Sequence, residues 1–405
     1  MKKLFIAFIL VCSACSSFAQ SSTNSDDSSQ KNLSKILSKT SIGGYGNALY
    51  QRDFNSKKST INLERFVLFV GHNFNNKISL ITEIEIEDAK VAGGEAEGEI
   101  AIEQAYLKFN FNPNNYLVAG LYLPRIGILN ENHLPTNFYG NERNRVETFI
   151  LPTTWRELGI GFYGALNNFP LSYSAGIVNG LNSAAFEHGS GIREGRFEGR
   201  DATANNLAVT GSLQLNKNNF KAQVSGYYGG SVGLAPNQAD SLKLTSGILG
   251  TPVIIGEADV QYAAKGFSAT ILATTISIPD ASDINRAYAN NTPENEFGGY
   301  AEVAYNIFQS MNKKWQQELS LFVRYEMLNM NSSIPSNGII DETLNQQHLV
   351  AGLNYFPIRN VVVKADVRLM HTGEENPDLI INPNPAAPPY QQQNTILNVG
   401  IGFSF

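Results

Sequence analysis

The chain has 405 residues, of which 42% are hydrophobic and 16% are charged, and its formal net charge at pH 7 is −6. A soluble protein of this length would usually form two or three domains, although one large barrel also fits the length. The negative charge argues against nucleic acid as a partner and gives no overall attraction for anions.

Residues 1–19 predict a secretory signal peptide. A positive region at 1–3, an apolar segment at 4–11 and a small-x-small motif at 17–19 have the order of such a peptide, which is too short to span a bilayer as a helix. The alternative is a lipoprotein signal acylated at Cys15. The residues in front of Cys15 lack the aliphatic side chain that such a site normally needs, so cleavage before Gln20 is the favoured prediction.

Cysteine usage limits the chemistry of the mature chain. Cys12 and Cys15 are the only cysteines, and both leave with the predicted signal. The mature chain is therefore predicted to have no disulfide, no thiol redox centre and no cysteine metal site. Removal of Lys2 and Lys3 with the signal takes the formal charge from −6 to −8.

Residues 20–40 predict a flexible periplasmic tail, because they are rich in Ser, Asn and Asp and contain few apolar side chains. Residues 41–405 then form strand-like segments joined by alternating short and long connections. No apolar run in them approaches the roughly 20 residues of a transmembrane helix. Short, turn-rich connections occur at 73–76, 112–115, 167–170, 216–219, 264–266, 312–314 and 357–360. Long connections occur at 51–58, 88–98, 126–153, 182–204, 232–248, 279–295, 331–344 and 372–392.

Seven short and eight long connections predict about sixteen strands, with both termini on the short-turn side. Short periplasmic turns and long external loops are the rule for outer-membrane barrels. The fold class predicted is therefore all-β, a transmembrane antiparallel barrel, and the predicted location is the outer membrane with both termini periplasmic.

Period-two alternation supports membrane strands. In 78–87, 318–327 and 361–369 one parity is mainly apolar and the other carries most of the charges. Arg or Lys facing lipid costs about 2–4 kcal/mol near the bilayer midplane, so the charged parity is predicted to line the lumen. These predicted lumen residues are Glu83, Glu85, Glu87, Arg324, Glu326, Lys364, Asp366 and Arg368. The segment 60–70 has no clean parity, which either a bulge or an Arg65 at a strand end would explain.

The last predicted strand, 394–405, has one apolar parity that includes Phe403 and Phe405. A soluble sheet could show the same alternation. A terminal Phe on such a strand is typical of outer-membrane barrels, and Phe403 and Phe405 are the predicted signal for the barrel assembly machinery. Lipid and lipopolysaccharide of the outer membrane are the other predicted surroundings.

Residues 120–164 resemble the strand–third loop–strand segment of the porin family grouped with phosphate-selective porins O and P. The likeness rests on Leu-Pro-Arg-Ile-Gly at 123–127, Asn-Glu-Asn-His at 130–133, Phe-Tyr-Gly at 138–140 and Pro-Thr-Thr-Trp-Arg-Glu at 152–157. The resemblance implies a porin whose third external loop folds into the lumen and narrows the pore, and a homotrimer. The chain departs from the phosphate-specific members because it has no regular arginine ladder or lysine cluster.

The third loop carries the predicted constriction and selectivity residues, which are Arg143, Arg145, Arg156, Glu131, His133 and Glu147. If the loop lies in the lumen, the three arginines could meet a passing anion with fork-shaped donors suited to phosphate or carboxylate. The alternative is that they pair with neighbouring glutamates and hold the loop to the wall. His133 is predicted to be a hydrogen-bonding residue of the loop and not a ligand.

The predicted lumen charges allow two arrangements. Glu83, Glu85 and Glu87 occur early in the barrel, whereas Arg324, Lys364 and Arg368 occur late, so acid could face base across the constriction and create a transverse field. The alternative is local pairing between neighbours on the wall, which the nearby Glu326 and Asp366 favour. The resulting expectation is weak selectivity among small hydrophilic solutes or ions, with anions such as phosphate among the candidate solutes.

An enzyme is not predicted, because the five histidines have no nucleophile motif nearby and no Gly-x-Ser-x-Gly elbow is present. No His, Asp or Glu cluster has metal-ligand spacing, so neither a metal nor a cofactor is predicted. A non-conducting adhesin or structural barrel remains the alternative to a porin, and leakage of small solutes from loaded vesicles separates them.

Overall fold

The computed structural model describes residues 38–88, 98–311, 316–379 and 390–405. Ile42–Phe405 forms one compact unit. Of a second unit, Met1–Ser41, the described residues are 38–41, in which an extended strand begins at Thr40. The predicted signal peptide and residues 20–37 of the predicted tail lie outside the described part of the chain.

Sixteen antiparallel strands close into one barrel, as the connection lengths predict. Strands that follow each other in sequence are neighbours in the wall, and the first pairs with the last through contacts such as Tyr50 with Val399. The strands are β1 Thr40–Asp53, β2 Ser59–Asn73, β3 Ile78–Glu87, β4 Glu99–Asn112, β5 Asn115–Tyr122, β6 Glu157–Ala165, β7 Leu171–Asn179, β8 Leu207–Lys217, β9 Phe220–Gly230, β10 Pro252–Ala264, β11 Phe267–Ser277, β12 Asn295–Asn306, β13 Glu318–Ser333, β14 Asn345–Ile358, β15 Val361–Thr372 and β16 Gln393–Ser404.

The wall has an apolar outer face and a polar inner face because alternate side chains of a strand point to opposite sides. Outward positions are exposed and apolar, including Val209, Leu213, Ile271, Leu321, Val323, Val367 and Ile401. The inward parity carries buried charges, including Glu83, Glu85, Arg324, Glu326, Lys364, Asp366 and Arg368. An apolar outer band suits lipid contact.

Strand β2 explains its own irregular sequence. Ile61 and Leu63 are exposed, and so is Phe66, so the outward positions change from odd to even residue numbers between Leu63 and Phe66. Val67 is buried. Glu64 accepts a hydrogen bond from Asn47 and Arg65 contacts Glu85, so two successive side chains turn inward. The change of parity has the form that a bulge would give, and Arg65 is not at a strand end.

Strand β4 contains a second irregularity that matters for the interior. Glu83 pairs with Gln104, and the next residue, Ile84, pairs with Ile102, so Glu103 is an extra residue in the ladder. Its side chain is fully buried. The bulge therefore delivers one more carboxylate to the inside of the wall.

Short helices occupy several connections of the described chain. They are α1 Pro236–Leu242, α2 Ala281–Tyr288 and α3 Ile307–Met311, with 3₁₀ turns at Ser183–Ala185, Arg193–Gly195, Glu342–Leu344 and Pro377–Leu379 and a π-helical turn at Val146–Ile150. Among the described residues, no helix has both the length and the apolar character needed to cross a membrane. We call the two mouths of the barrel the loop end and the turn end, after the long and short connections.

Candidate functional site

The third long connection, residues 123–156 between β5 and β6, contacts inward-facing side chains of the wall, and we call it loop 3. Asn130 fastens its two ends together. The Asn130 amide donates to the carbonyl oxygens of Pro124 and Trp155 at 2.8 and 3.1 Å, and its Oδ1 accepts from the Trp155 backbone N–H at 2.7 Å. Asn130 therefore fixes the loop as a closed unit.

Glu147 organises the middle of loop 3. One carboxylate oxygen accepts from the backbone N–H groups of Ile128 and Leu129, both at 2.7 Å, and the other accepts from Asn144 and from Tyr300 of β12. Burial raises the pKa of Glu147, while these hydrogen bonds oppose the rise. Because its side chain is fully buried, Glu147 holds the loop in shape and does not line a cavity.

One side of loop 3 is apolar and packs on the inside of the wall. Val146, Ile150 and Trp155 belong to a buried cluster with inward-facing residues of β9 to β13, namely Tyr227, Val253, Ile255, Leu272, Ile276, Tyr300 and Leu328. At Gly298 a Cβ atom would come within 2.9 Å of Val146, so glycine permits the close approach of the π-helical turn. The burial of these apolar side chains therefore fixes this side of loop 3 on the wall.

The other side of loop 3 is anchored by hydrogen bonds to β13 and β15. Asp366 accepts from the backbone N–H and the side-chain amide of Asn141 at 2.7 and 2.6 Å. Lys364 donates to the carbonyl oxygens of Phe138 and Gly140 at 3.0 and 2.7 Å, and Arg324 donates to that of Tyr139 at 3.0 Å. The charged lumen residues of the late strands thus hold loop 3 through hydrogen bonds.

These wall charges also pair among themselves. Arg324 contacts Glu302 and Glu326 at 2.9 and 2.7 Å, and Arg368 contacts Glu142 and Glu326 at 3.3 and 3.4 Å. Local pairing is therefore the arrangement found on this part of the wall. The charges predicted to create a transverse field here are buried beneath loop 3 and largely compensated.

Loop 3 lies between two cavities. The loop-end cavity has a volume of about 390 Å³ and is lined by loop 3, the fourth long connection and the nearby ends of β2 to β4. The turn-end cavity has a volume of about 1030 Å³ and is lined by polar residues near the short turns, among them Gln261, Asn306 and Glu318. Phe138 lines both cavities, and Lys364 Nζ lies 3.9 Å from the centre of its ring.

The loop-end cavity is rich in charges of both signs. Its lining includes the arginines 65, 143, 145, 156, 193 and 196 and the glutamates 64, 85, 87, 99, 142, 194 and 198. Arg145 pairs with Glu142 at 2.9 Å, and Arg156 pairs with Glu198 at 2.8 Å. Nη2 of Arg143 is buried and has no hydrogen-bond partner among the described residues.

Arg143 is consequently a predicted selectivity residue with unused donor capacity, as is Arg156, whose buried Nε also has no hydrogen-bond partner among the described residues. Burial and the positive charge of Arg65 lower the pKa of Arg143 to about 10. Its guanidinium therefore stays protonated at neutral pH.

The remaining predicted residues have different positions. Glu131 pairs with Arg125 at 2.6 Å and lines a separate cavity of about 210 Å³ with Tyr106 and Tyr116. Glu85 and Glu87 line the loop-end cavity beside Arg65. Phe405 is exposed on the outer face, in agreement with the apolar parity of its strand.

The structure also brings together residues that spacing in the sequence does not connect. Ligand atoms of Glu83, Glu103 and His133 lie within 4.8 Å of one another, and all three side chains are buried. Metal-ligand spacing along the chain misses this cluster because Glu103 enters through a bulge and His133 through a loop. Arg65 and Glu198 are further cavity charges that sequence reasoning missed, and only the mixed parity near Arg65 gave a signal.

Comparison with known proteins gives consistent relatives. A family model described as phosphate-selective porin O and P matches residues 43–380. An uncharacterized protein of Aquifex aeolicus (strain VF5) is 34% identical over 339 residues, which cover 80% of this chain and 74% of the relative. The outer-membrane channel DcaP of Acinetobacter baumannii has a similar structure, with a TM-score of 0.55, 11% identity, and coverage of 90% of this chain and 97% of that chain. An anion-selective porin from Comamonas acidovorans is similar with a TM-score of 0.51, 10% identity, and coverage of 90% and 99%.

Proposed function

Because this chain belongs to the family of phosphate-selective porins O and P, we propose that small hydrophilic solutes diffuse passively through its lumen, between the loop-end and turn-end cavities. It is an outer-membrane porin, and a channel rather than an enzyme. The single observation that carries the proposed route is the pair of polar cavities on either side of loop 3, with Phe138 lining both. The loop end then faces outward, and both termini are periplasmic.

Loop 3 sets the size limit in this proposal. Its apolar side is packed on β9 to β13 and its backbone is held by Asp366, Lys364 and Arg324, so the obstruction is rigid on the time scale of solute passage. Side chains that line the two cavities, such as Arg143 at the loop end and Gln261 at the turn end, are the ones placed to meet a solute.

Charge preference is weak and leans toward anions at Arg143. Arginines and glutamates of the loop-end cavity pair locally, which reduces the field of either sign. Arg143 retains unshared N–H groups that suit phosphate or carboxylate. One charge about 6 Å from a permeant ion in water contributes ~0.7 kcal/mol, or roughly a threefold change in the permeability of that ion.

The reversal potential under a KCl gradient in a planar bilayer tests this role. Arg143→Gln is expected to lower the chloride-to-potassium permeability ratio about tenfold, because removing the positive charge disfavours chloride and favours potassium by roughly threefold each. Arg143→Lys keeps the charge and serves as the matched control. An unchanged ratio in Arg143→Gln would exclude Arg143 as a selectivity residue.

Conduction itself is tested by leakage of small sugars from loaded liposomes. Leakage limited by solute size supports a porin, whereas sealed vesicles containing folded protein would favour the non-conducting adhesin or structural barrel. Homotrimer formation, contact with lipopolysaccharide and recognition by the assembly machinery stay predictions.

A further inference from the structure

We propose that Glu83, Glu103 and His133 form a binding site for a divalent transition-metal ion such as Zn²⁺, which clips loop 3 to the wall at β3 and β4. The three ligands come from separate parts of the chain: β3, the bulge of β4 and loop 3. Their ligand atoms lie within 4.8 Å of one another. The site borders the loop-end cavity through His133 but does not include Arg143, the residue proposed to set the charge preference.

The distances fit a shared metal better than direct hydrogen bonds. Nε2 of His133 lies 3.5 Å from Glu103 Oε1 and 3.7 Å from Glu83 Oε1. Hydrogen bonds between such atoms are about 2.7–3.2 Å long. In a tetrahedral zinc site with bonds of about 2.0–2.2 Å, two ligand atoms are about 3.3–3.6 Å apart. A small octahedral cation such as Mg²⁺ would need about 2.8–3.0 Å.

Two of the three ligand atoms are buried and lack a hydrogen-bond partner within the described part of the chain. The side chains of Glu103 and His133 are 0% and 3% exposed. Among the described residues, neither Glu103 Oε1 nor His133 Nε2 has a hydrogen-bond partner. Buried polar atoms left in this way are costly, and a metal ion would satisfy both. His133 also lines the loop-end cavity, which gives the ion an entry path.

Each ligand is oriented by a second contact on its far side. His133 Nδ1 lies 3.0 Å from the Asn130 carbonyl oxygen, which makes Nδ1 the protonated donor and leaves the Nε2 lone pair facing the carboxylates. Glu83 Oε2 accepts from Gln104 at 2.6 Å, and Glu103 Oε2 accepts from the Tyr45 hydroxyl at 3.4 Å. Such outer contacts fix ligand orientation in metal sites.

The surrounding charges favour a cation. Arg65 contacts Glu85 and Glu87 at 3.5 and 3.9 Å, so its charge is already shared. Arg143 is the other base acting electrostatically on Glu103. Two arginines therefore share this sector with five carboxylates, those of Glu64, Glu83, Glu85, Glu87 and Glu103. Carboxyl groups therefore outnumber arginines around the site, which suits a divalent cation.

The experiment is Zn²⁺ titration of the purified, folded barrel in detergent, with the bound metal counted after gel filtration. Wild-type protein is expected to bind one Zn²⁺ per chain, and His133→Ala to lose that ion. Glu103→Gln has the same shape as the native side chain and tests the site if His133→Ala does not fold. Gln104→Met should weaken binding about tenfold by releasing Glu83.

His188→Ala is the matched control, since His188 Nε2 contacts Asp341 at 2.8 Å in a pair without a second carboxylate. This variant should bind as wild type does. Bound Co²⁺ should give the strong visible absorption of tetrahedral coordination in wild type and lose it in Glu103→Gln. Equal metal binding by wild type, His133→Ala and Glu103→Gln, or no stoichiometric binding by wild type, would overturn the proposal. Because binding is measured without conduction, failure here leaves the proposed porin function untouched.

Discussion

Replacing Asp366 with alanine should release loop 3 from the wall and enlarge the channel. Asp366 accepts three hydrogen bonds, two from Asn141 at 2.7 and 2.6 Å and one from Asn398 at 3.0 Å. The two from Asn141 hold the loop, and hydrogen bonds to a charged group contribute about 1.5–3 kcal/mol each. Taking the low end for both gives ~3 kcal/mol, which corresponds to roughly a 150-fold rise in the undocked population.

Single-channel recording is the assay for this change. Asp366→Ala is expected to show a larger mean conductance and more open-channel noise than wild type, because residues near Asn141 leave the wall. Asp259→Ala is the matched control, since Asp259 is an inward carboxylate that accepts a hydrogen bond at 2.9 Å from the Gln261 side chain on its own strand. Folded Asp366→Ala protein with wild-type conductance and noise would refute the reasoning that Asp366 anchors the loop.

Three further changes follow from loop 3. Burial favours a raised pKa for Glu142, but the guanidinium groups of Arg145 and Arg368 outweigh it and lower the pKa. The stabilisation of the folded loop 3 by ionised Glu142 is therefore complete above the unfolded pKa of about 4.3. It is lost as pH falls through the lower folded pKa. The part of the conductance change that depends on Glu142 should occur only below about pH 4, and a Glu142→Gln variant that keeps this change would contradict the assignment. Phe138→Ala should raise conductance and admit larger sugars in liposome swelling, whereas an unchanged size limit would place the constriction elsewhere. Glu147→Leu should lower the free energy of unfolding of loop 3 by about 2–4 kcal/mol, because four hydrogen bonds are lost. The change is detectable as faster hydrogen exchange at Ile128. Unchanged exchange would exclude Glu147 as the residue that holds loop 3 in shape.

The barrel was predictable because its rules are local. Alternation along β13 and β15 separates lipid-facing from inward side chains, and the lengths of connections alone give sixteen strands. Neither feature depends on which distant strands meet. The irregular parity around Arg65 was also visible in the sequence, and the inward turn of Glu64 and Arg65 agrees with the bulge alternative.

The use made of the charges was less predictable because it depends on long-range contacts. Arg324 and Lys364 lie beneath loop 3, which accepts hydrogen bonds from both side chains, and nothing in the sequence of their strands indicates that contact. Glu147 likewise is a charged residue of the kind expected to line a cavity, but its carboxylate accepts hydrogen bonds from the backbone of its own loop. The cluster around His133 needs a loop and a bulge to meet, and no spacing along the chain encodes that meeting.

The anchoring of loop 3 also dictates when it becomes ordered. Asn141 and Asp366 are 225 residues apart in sequence, and Arg324 and Tyr139 are 185 apart. Contacts between such distant residues form late, since the intervening chain must first be arranged. Loop 3 can therefore reach its native position only after β13 and β15 have joined the sheet. Until then the barrel lacks its constriction, so the late strands β13 and β15 both complete the wall and determine the width of the channel.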